Sequence, residues 1–389
     1  MLKKNLKEVL PPIETFANIK VVGVGGSGGS AVDRMVTARI RGVEFITVNT
    51  DAQALHSSQA ASRIHIGRNT TRGLGAGMDP ELGLKSAEEN EQDIMAALSG
   101  ADMVFITCGL GGGTGTGAAP VIADIARELG ALTVAVVTRP FTFEGVQRRD
   151  IAERGLERLL DKVDTIITIP NDRLLQIIDR KTSLLDAFAI VDEVLKQGVQ
   201  GISEVITVPG LVNVDFADVK AIMRQAGSAL MGIGKATGED RAKEAAKAAI
   251  DSPLLELSIN GATGVLFTIT GSSNLTMFEV SEAAEVITAH CDPEAKIIFG
   301  AIIDESLNDE VKVTVIATGF KKSAEQKVEA SRPVGSLSEA FTKAPEEKIN
   351  RRAFEKQPER EEEVESVPKS KEEEELDIPA FLRKKLRDR

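Results

Sequence analysis

The sequence predicts an α/β protein in four parts. A Rossmann-like domain on a parallel sheet is joined by a long central helix to a smaller α/β domain with a mixed sheet, and a disordered tail follows. Three observations carry this prediction. Between residues 19 and 180, short β-branched runs alternate with stretches of helical period, the pattern of parallel strands covered by helices. Leu184, Phe188, Val191, Leu195, Val199 and Ile202 then recur at three- and four-residue spacing, which asks for one helix. Beyond residue 320 the composition turns charged and poor in large apolar side chains.

In chain order, residues 1–18 with their Pro11-Pro12 break read as an extension. The first domain, 19–182, has strand candidates IKVVGVG (19–25), EFITVNT (44–50), MVFITCG (103–109), LTVAVVT (132–138) and TIITIP (165–170). Helical period marks 86–98 and 118–129 between them. The central helix covers 183–206, slightly weakened by Gly198 and Gly201. The second domain, 207–320, mixes strands at 264–271, 295–303 and 311–319 with helices near 217–230, 239–251 and 276–290.

The last 69 residues hold 17 basic and 17 acidic side chains. Half of them charged, they cannot bury a core, so 321–374 reads as a disordered linker. Its closing peptide, ELDIPAFLRKKLRDR (375–389), sets Leu376, Ile378, Phe381, Leu382 and Leu386 among basic residues, as a tethered docking motif does. The basic run from Arg383 to Arg389 adds weak attraction to anionic surfaces without anchoring the chain.

Composition excludes several classes. The chain of 389 residues carries a formal charge of −12, and because the tail is neutral the body holds the whole excess. That disfavours binding to a nucleic-acid backbone, and the absence of Trp and Tyr removes the usual stacking platforms. Two cysteines, Cys108 and Cys291, make neither a disulfide framework nor a metal cluster and read as small core residues. No signal-peptide core or membrane-length apolar run is present, so the expectation is a soluble, cytoplasmic protein.

The chemistry concentrates in glycine-rich turns. In VVGVGGSGGS (21–30), Gly23, Gly25 and Gly28 follow the G-x-G-x-x-G spacing of a dinucleotide fold, and Asp51 lies 23 residues on, where such a fold keeps its ribose-binding acid. Many α/β folds carry a similar turn for packing alone. CGLGGGTGTGAAP (108–120) is more specific: seven successive residues, Gly111 to Gly117, lack bulky side chains between a strand and a helix. Their N–H groups can converge on one anion, with the helix N-terminus behind it. A third stretch, RGLGAGMDPELG (72–83), follows Ile64–Ile66. Three loops about one anion suit a triphosphate better than a pyrophosphate. No G-x-x-x-x-G-K-[ST] occurs, which speaks against a P-loop. In PGLVNVDFADVKAIM (209–223), Asn213, Asp215 and Asp218 gather before a helix, and Asp215 reads on its own as that helix's N-cap.

GGGTGTG is also the signature of the tubulin superfamily. With GVGGSGGSAV, NTDAQAL, RGLGAG, GGGTGTGAAPV, RPFTFEG, ITIPND, SLLDAF, NVDFADV and the tail peptide DIPAFLR, the chain resembles the FtsZ family of bacterial cell-division GTPases over 19–320 and again at 376–383. The resemblance implies that 19–182 binds GTP or GDP. Gly26, Ser27, Gly28, Gly29 and Ser30 contact the α- and β-phosphates, and Gly113, Thr114 and Gly115 cradle them from the other side. Ala76 and Gly77 lie near the γ-phosphate, Glu144 and Arg148 near the ribose, and Asn171, Phe188 and Asp192 read guanine. Where the family usually carries Asn at position 29 or 30, this chain has Gly29 and Ser30.

The resemblance further implies head-to-tail polymers, in which Asp215 and Asp218, with Asn213, meet the γ-phosphate of the next subunit and activate water. Mg²⁺ accompanies the phosphates, with room for a monovalent cation. The partners it implies are other copies of the chain and, through 375–389, an FtsA-like membrane anchor and other division regulators. Membrane association is then indirect, and the site of action is midcell. On the residues alone two other readings stay open: a dinucleotide-dependent oxidoreductase using G-x-G-x-x-G and Asp51, and a non-catalytic nucleotide-binding scaffold.

Overall fold

The computed structural model describes residues 17–320, apart from 176–180, 209, 213 and 253–257. The segments expected to be an N-terminal extension (1–18), a linker (321–374) and a docking peptide (375–389), together with Asn213, therefore lie outside the described residues, save for residues 17 and 18. Ten strands form one sheet: β1 (Ile19–Val24), β2 (Val43–Asn49), β3 (Ser62–His65), β4 (Met103–Gly109), β5 (Leu132–Arg139), β6 (Thr165–Pro170), β7 (Gly227–Ala236), β8 (Gly264–Gly271), β9 (Lys296–Ile303) and β10 (Val311–Thr318). Their spatial order is β3-β2-β1-β4-β5-β6-β7-β10-β8-β9.

From β3 to β7 every pairing is parallel. Strands β7, β10 and β8 are antiparallel neighbours, and β9 runs parallel to β8. The first part is thus doubly wound and the second mixed, as the run patterns predict. β1, β4 and β5 are buried almost throughout, which is why they read as continuous β-branched runs rather than alternating ones.

The helix Leu184–Thr207 is capped by Ser183, whose hydroxyl accepts from Asp186 N at 3.1 Å. It buries Val191, Val194, Leu195, Val199, Ile202 and Val205 in a core shared with Val134 and Val136 of β5 and Ile316 of β10. Gly198 and Gly201 cost helix propensity but allow this contact. A Cβ at Gly198 would stand 3.1 Å from Val136 Cγ1, and one at Gly201 would stand 2.9 Å from Thr314 Cγ2. A separate core beneath β8 and β10 packs Ala242, Ala245, Ala246, Ala249 and Ile287 from two helices.

Three local differences from the sequence reading have physical causes. The helical stretch 86–98 is two helices, Pro80–Glu89 and Glu91–Leu98, broken at Asn90. Asn90 Oδ1 accepts from Gly67 N at 2.9 Å, which holds it at the break. The helix expected over 217–230 ends at Met223, because Gln225 and Gly227 take positive φ and Asp164 receives both Gln225 N and, on its carbonyl, Gly227 N. The chain then enters β7, a strand its glycines had hidden. The helix expected over 118–129 also begins earlier, at Thr114, because the small residues Thr114 to Gly117 enter the helix from the glycine turn.

The second motif is a packing device as well as a turn. A Cβ at Gly117 would lie 2.0 Å from Pro80 O and 2.6 Å from Leu84 N, so the helices Thr114–Glu128 and Pro80–Glu89 cross backbone to backbone. Gly117→Ala is expected to destabilise the fold by about 3 kcal/mol or more, the upper range of overpacking. Gly112→Ala, which meets no atom within 4 Å, is expected to leave stability unchanged. Thermal unfolding of both variants without nucleotide checks the contrast. Equal melting temperatures would refute it.

Candidate nucleotide site

At the carboxyl ends of β1, β4, β5 and β6 lies a cleft of about 380 Å³, within the range of small-ligand sites. Its floor is backbone. Gly25 takes φ +72° to turn β1 into the helix Gly25–Thr37, and a Cβ there would stand 3.0 Å from Gly115 N. The two glycine turns therefore touch. Neither that helix nor Thr114–Glu128 has a side-chain cap at its N-terminus. Their first-turn residues Gly26, Ser27, Thr114 and Gly115 line the cleft. Helix starts left uncapped beside a cavity present N–H donors and positive dipole ends to it, a combination that selects an anion.

The third glycine stretch is tied to this floor. Gly113 N donates to Gly77 O at 2.9 Å, and Gly77 lines the cleft. The Thr114 hydroxyl shares a 2.7 Å hydrogen bond with that of Thr50, which is fully buried. Gly111 N donates to Thr116 Oγ1 at 3.0 Å. Cys108, at the end of β4, is sealed in the core, and burial pushes its thiol up to about 12. It is an inert core residue, as its sequence context suggests.

The other end of the cleft is mixed in character. Asn171, first residue of a short helix after β6, is 5% exposed, and its buried Oδ1 has no partner among the described residues. Such an atom costs free energy until something binds it, so the cleft offers a polar ligand one group in need. Phe188 and Asp192 lie one turn apart on the helix Leu184–Thr207. Phe188 leaves its ring half-open to solvent, edge-on to Phe141 at 5.8 Å, and Phe141 stacks on Phe143 at 4.9 Å. Burial pushes the Asp192 carboxyl above the usual range, and the Arg34 guanidinium 3.2 Å away draws it partly back. Glu144 pairs with Arg148 and accepts from Phe141 N at 2.9 Å, fixing the cleft's third wall.

Of the residues singled out from sequence, Gly26, Ser27, Ser30, Gly77, Gly113, Thr114, Gly115, Glu144, Arg148, Asn171, Phe188 and Asp192 line this one cleft. Gly28, Gly29 and Ala76 do not. Gly28 is pressed on β4, where a Cβ would stand 2.3 Å from Thr107 O, and the Ala76 carbonyl accepts from Asp79 N. Asp51 caps the helix Ala52–Ser57, accepting from Gln53 N at 2.8 Å, so the acid of the dinucleotide reading is already engaged. Asp215 caps the helix Phe216–Met223 through Ala217 N at 3.1 Å. It and Asp218 are exposed and outside the cleft.

Leu110, Thr138, Pro140 and Val191 line the cleft without having been foreseen. Thr138 lies near the end of β5, and Leu110 and Pro140 directly follow β4 and β5, so position at a strand end is the one signal that pointed to these three. Among the described residues no group of three or more His, Cys, Asp or Glu is placed to hold a metal ion. No helix among them is long and apolar enough to cross a membrane.

Comparison with known proteins agrees with this geometry. Residues 18–179 match the GTPase domain of the Tubulin/FtsZ family, and residues 227–321 match the C-terminal domain of the FtsZ family. The structure is similar to an empty FtsZ dimer from M. jannaschii, with 49% identity and a TM-score of 0.76, over 78% of this chain and 89% of that one. A point mutant of FtsZ from the same organism also has 49% identity and a TM-score of 0.76, over 79% and 92%. A GTPγS-bound protofilament of CetZ2 from Haloferax volcanii shares the fold at 22% identity and a TM-score of 0.67, over 79% and 94%.

Proposed function

The chain belongs to the FtsZ family, and on that premise we propose that it is a self-assembling GTPase that polymerises head to tail and builds the ring of cell division. The observation that carries the reading is the cleft itself. Two uncapped helix N-termini meet at one end and an unpartnered buried Asn171, with Phe188 and Asp192, waits at the other. The first suits a polyphosphate and the second a purine with donors on its edge. In this reading GTP lies with its phosphates against Gly26–Ser30, Gly77 and Gly113–Gly115, with Ala76 behind Gly77. Its ribose lies near Glu144 and Arg148, and its guanine stacks on Phe188 with N1–H and the amino group donating to Asp192.

Hydrolysis needs a positioned water, and the described cleft holds no free general base. Glu144 and Asp192 are its carboxylates, and both are ion-paired. We assign that work to Asp215 and Asp218, with Asn213, of the next subunit. From Phe188 to Thr207 the helix rises about 28 Å at 1.5 Å per residue. The loop beyond it is pinned at Leu211, whose N donates to Ala301 O at 2.9 Å. Both placements favour a neighbouring copy's cleft over the chain's own. Asp215 and Asp218 of one subunit orient water in line with the γ-phosphorus of the next, while backbone N–H groups stabilise the charge gathering on the phosphate oxygens.

No acidic cluster among the described residues is built for a metal. Mg²⁺ fits as a companion of the phosphates, neutralising their charge when bound, and a monovalent cation fits the same description.

Exposed apolar side chains support the assembly reading. Leu74, Met78, Phe143 and Leu185 are exposed on segments close in sequence to the cleft residues Gly77, Glu144 and Phe188, and Leu211, Val212, Met277, Phe278, Ile297 and Phe299 are exposed on and around β8 and β9. Two different apolar patches on one molecule make a heterologous contact, which propagates instead of closing. Residues 375–389 would then tether the polymer to an FtsA-like anchor and other regulators, bringing a cytoplasmic filament to midcell without direct membrane insertion or nucleic-acid binding.

Phosphate release from GTP, measured against protein concentration, tests the shared site. Specific activity is expected to be near zero below a threshold and to rise steeply above it. Activity independent of concentration would refute the shared site, and no release at all would favour a non-catalytic scaffold.

A further inference from the structure

We propose that Arg34 is a positioning residue for guanine recognition, orienting Asp192 and holding it as a carboxylate that only accepts hydrogen bonds. The inference rests on the reading of Asp192 as the group that meets the guanine edge. Arg34 Nε donates to Asp192 Oδ2 at 3.2 Å, joining residues 158 positions apart in sequence. Asp192 Oδ1 is left without a hydrogen-bond partner among the described residues and belongs to a cleft-lining side chain. The arrangement leaves one oxygen anchored to the protein and one available to a ligand.

The chemistry needs this anchor. Guanine offers two donors on one edge, N1–H and the 2-amino group, and an ionised carboxylate can accept both. A protonated carboxyl would turn one acceptor into a donor facing a donor. Asp192 is largely buried, with its side chain 13% exposed, and burial favours the protonated form. The guanidinium opposes that directly.

The other charged groups nearby are engaged elsewhere. On the Arg34 helix, Asp33 accepts from Ser58 Oγ and Gln59 N. On the Asp192 helix, Glu193 pairs with Lys196. Across the cleft Glu144 pairs with Arg148. Arg34 is the one cation bonded to Asp192 among the described residues.

Its position on the helix Gly25–Thr37 adds a consequence. Arg34 stands nine residues from Gly25, about 13 Å along the axis. One rigid helix thus offers its N-terminus to the phosphates and a guanidinium to the base-reading acid. A displacement of that helix changes both ends of the nucleotide contact together.

Binding of GDP and of IDP, which lacks the 2-amino group, to the full chain tests this without hydrolysis. Arg34→Met, Arg34→Lys and Asp192→Asn are compared with the unaltered chain at about pH 6 and pH 8 by calorimetry. The unaltered chain is expected to hold GDP with similar affinity at both. Arg34→Met is expected to lose about tenfold at the lower pH and roughly twofold at the higher, the signature of a carboxyl gaining a proton. IDP is expected to suffer less, and Arg34→Lys to recover most of the loss. Equal losses for both nucleotides at both pH values, or none, would overturn the proposal. Asp192→Asn is expected to lose the preference for GDP over IDP. If it keeps that preference, the reading of Asp192 fails and the proposal with it. If it loses it while Arg34→Met behaves as the unaltered chain, the role of Arg34 alone is overturned.

Discussion

Asp215→Asn is expected to bind GTP as the unaltered chain does, to assemble, and to hydrolyse GTP at least about a hundredfold more slowly, a loss of roughly 2.7 kcal/mol of transition-state stabilisation. The choice of asparagine matters because Asp215 has a structural task in this fold. Its carboxylate caps the helix Phe216–Met223 by accepting from Ala217 N. Asparagine caps about as well as aspartate, whereas alanine would cost around 1 kcal/mol. Asp215→Asn therefore keeps the helix and removes only the charge to which we assign the polarising of water. Mixed with unaltered subunits it is expected to slow the whole polymer, as follows if each copy serves its neighbour's nucleotide. Unchanged turnover by this variant would show that the carboxylate is no more than a cap.

The second large effect is expected from Met277→Glu combined with Phe278→Glu. Both side chains are more than 80% exposed and follow the carboxyl end of β8. They occupy the first turn of the helix Met277–Thr288, which Thr276 and Glu279 cap reciprocally. Acidic residues are favourable in a first helical turn, so the substitutions preserve or improve the monomer's fold. At a self-contact they replace apolar burial with like charges on a body that is already acidic. The threshold concentration for assembly is expected to rise at least about tenfold, some 1.4 kcal/mol per contact, with GTP affinity unaltered. Light scattering and sedimentation read the threshold directly. If it does not move, this patch is not a polymerisation surface.

Much of this fold was legible because it is written in short-range patterns. Continuous β-branched runs marked β1, β2, β4, β5 and β6, and the spacing from Leu184 to Ile202 marked the long helix almost to its ends. The strand β7 was not legible, since Gly227, Gly232 and Gly234 interrupt its alternation. Gly234 is there because the helix Arg241–Ile250 passes so close that a Cβ would stand 2.0 Å from Ala245 O. That reason belongs to packing between elements and leaves no periodic trace.

The candidate site divides in the same way. GGGTGTG and VVGVGGSGGS announced an anion cradle by composition, and both end at one cleft. Asn171, Phe188 and Asp192, which we propose read the base, were reached through family resemblance, because an isolated Asn, Phe or Asp carries no signal of its own. They nonetheless converge on that cleft.

By itself, then, the sequence determined which segments become strands and helices and where the backbone turns without side chains, and it gave the reason to expect an anion at those turns. Each of these follows from interactions within about a dozen residues. Tertiary structure alone decided which glycines face the cleft, as Gly26 and Gly112 do, and which exist to let backbones touch, as Gly28 and Gly117 do. It turned Asp51 into a helix cap, and it brought Arg34 to Asp192. Glycine has one chemistry and aspartate has one chemistry, and what each does is set by the atoms folding places beside it.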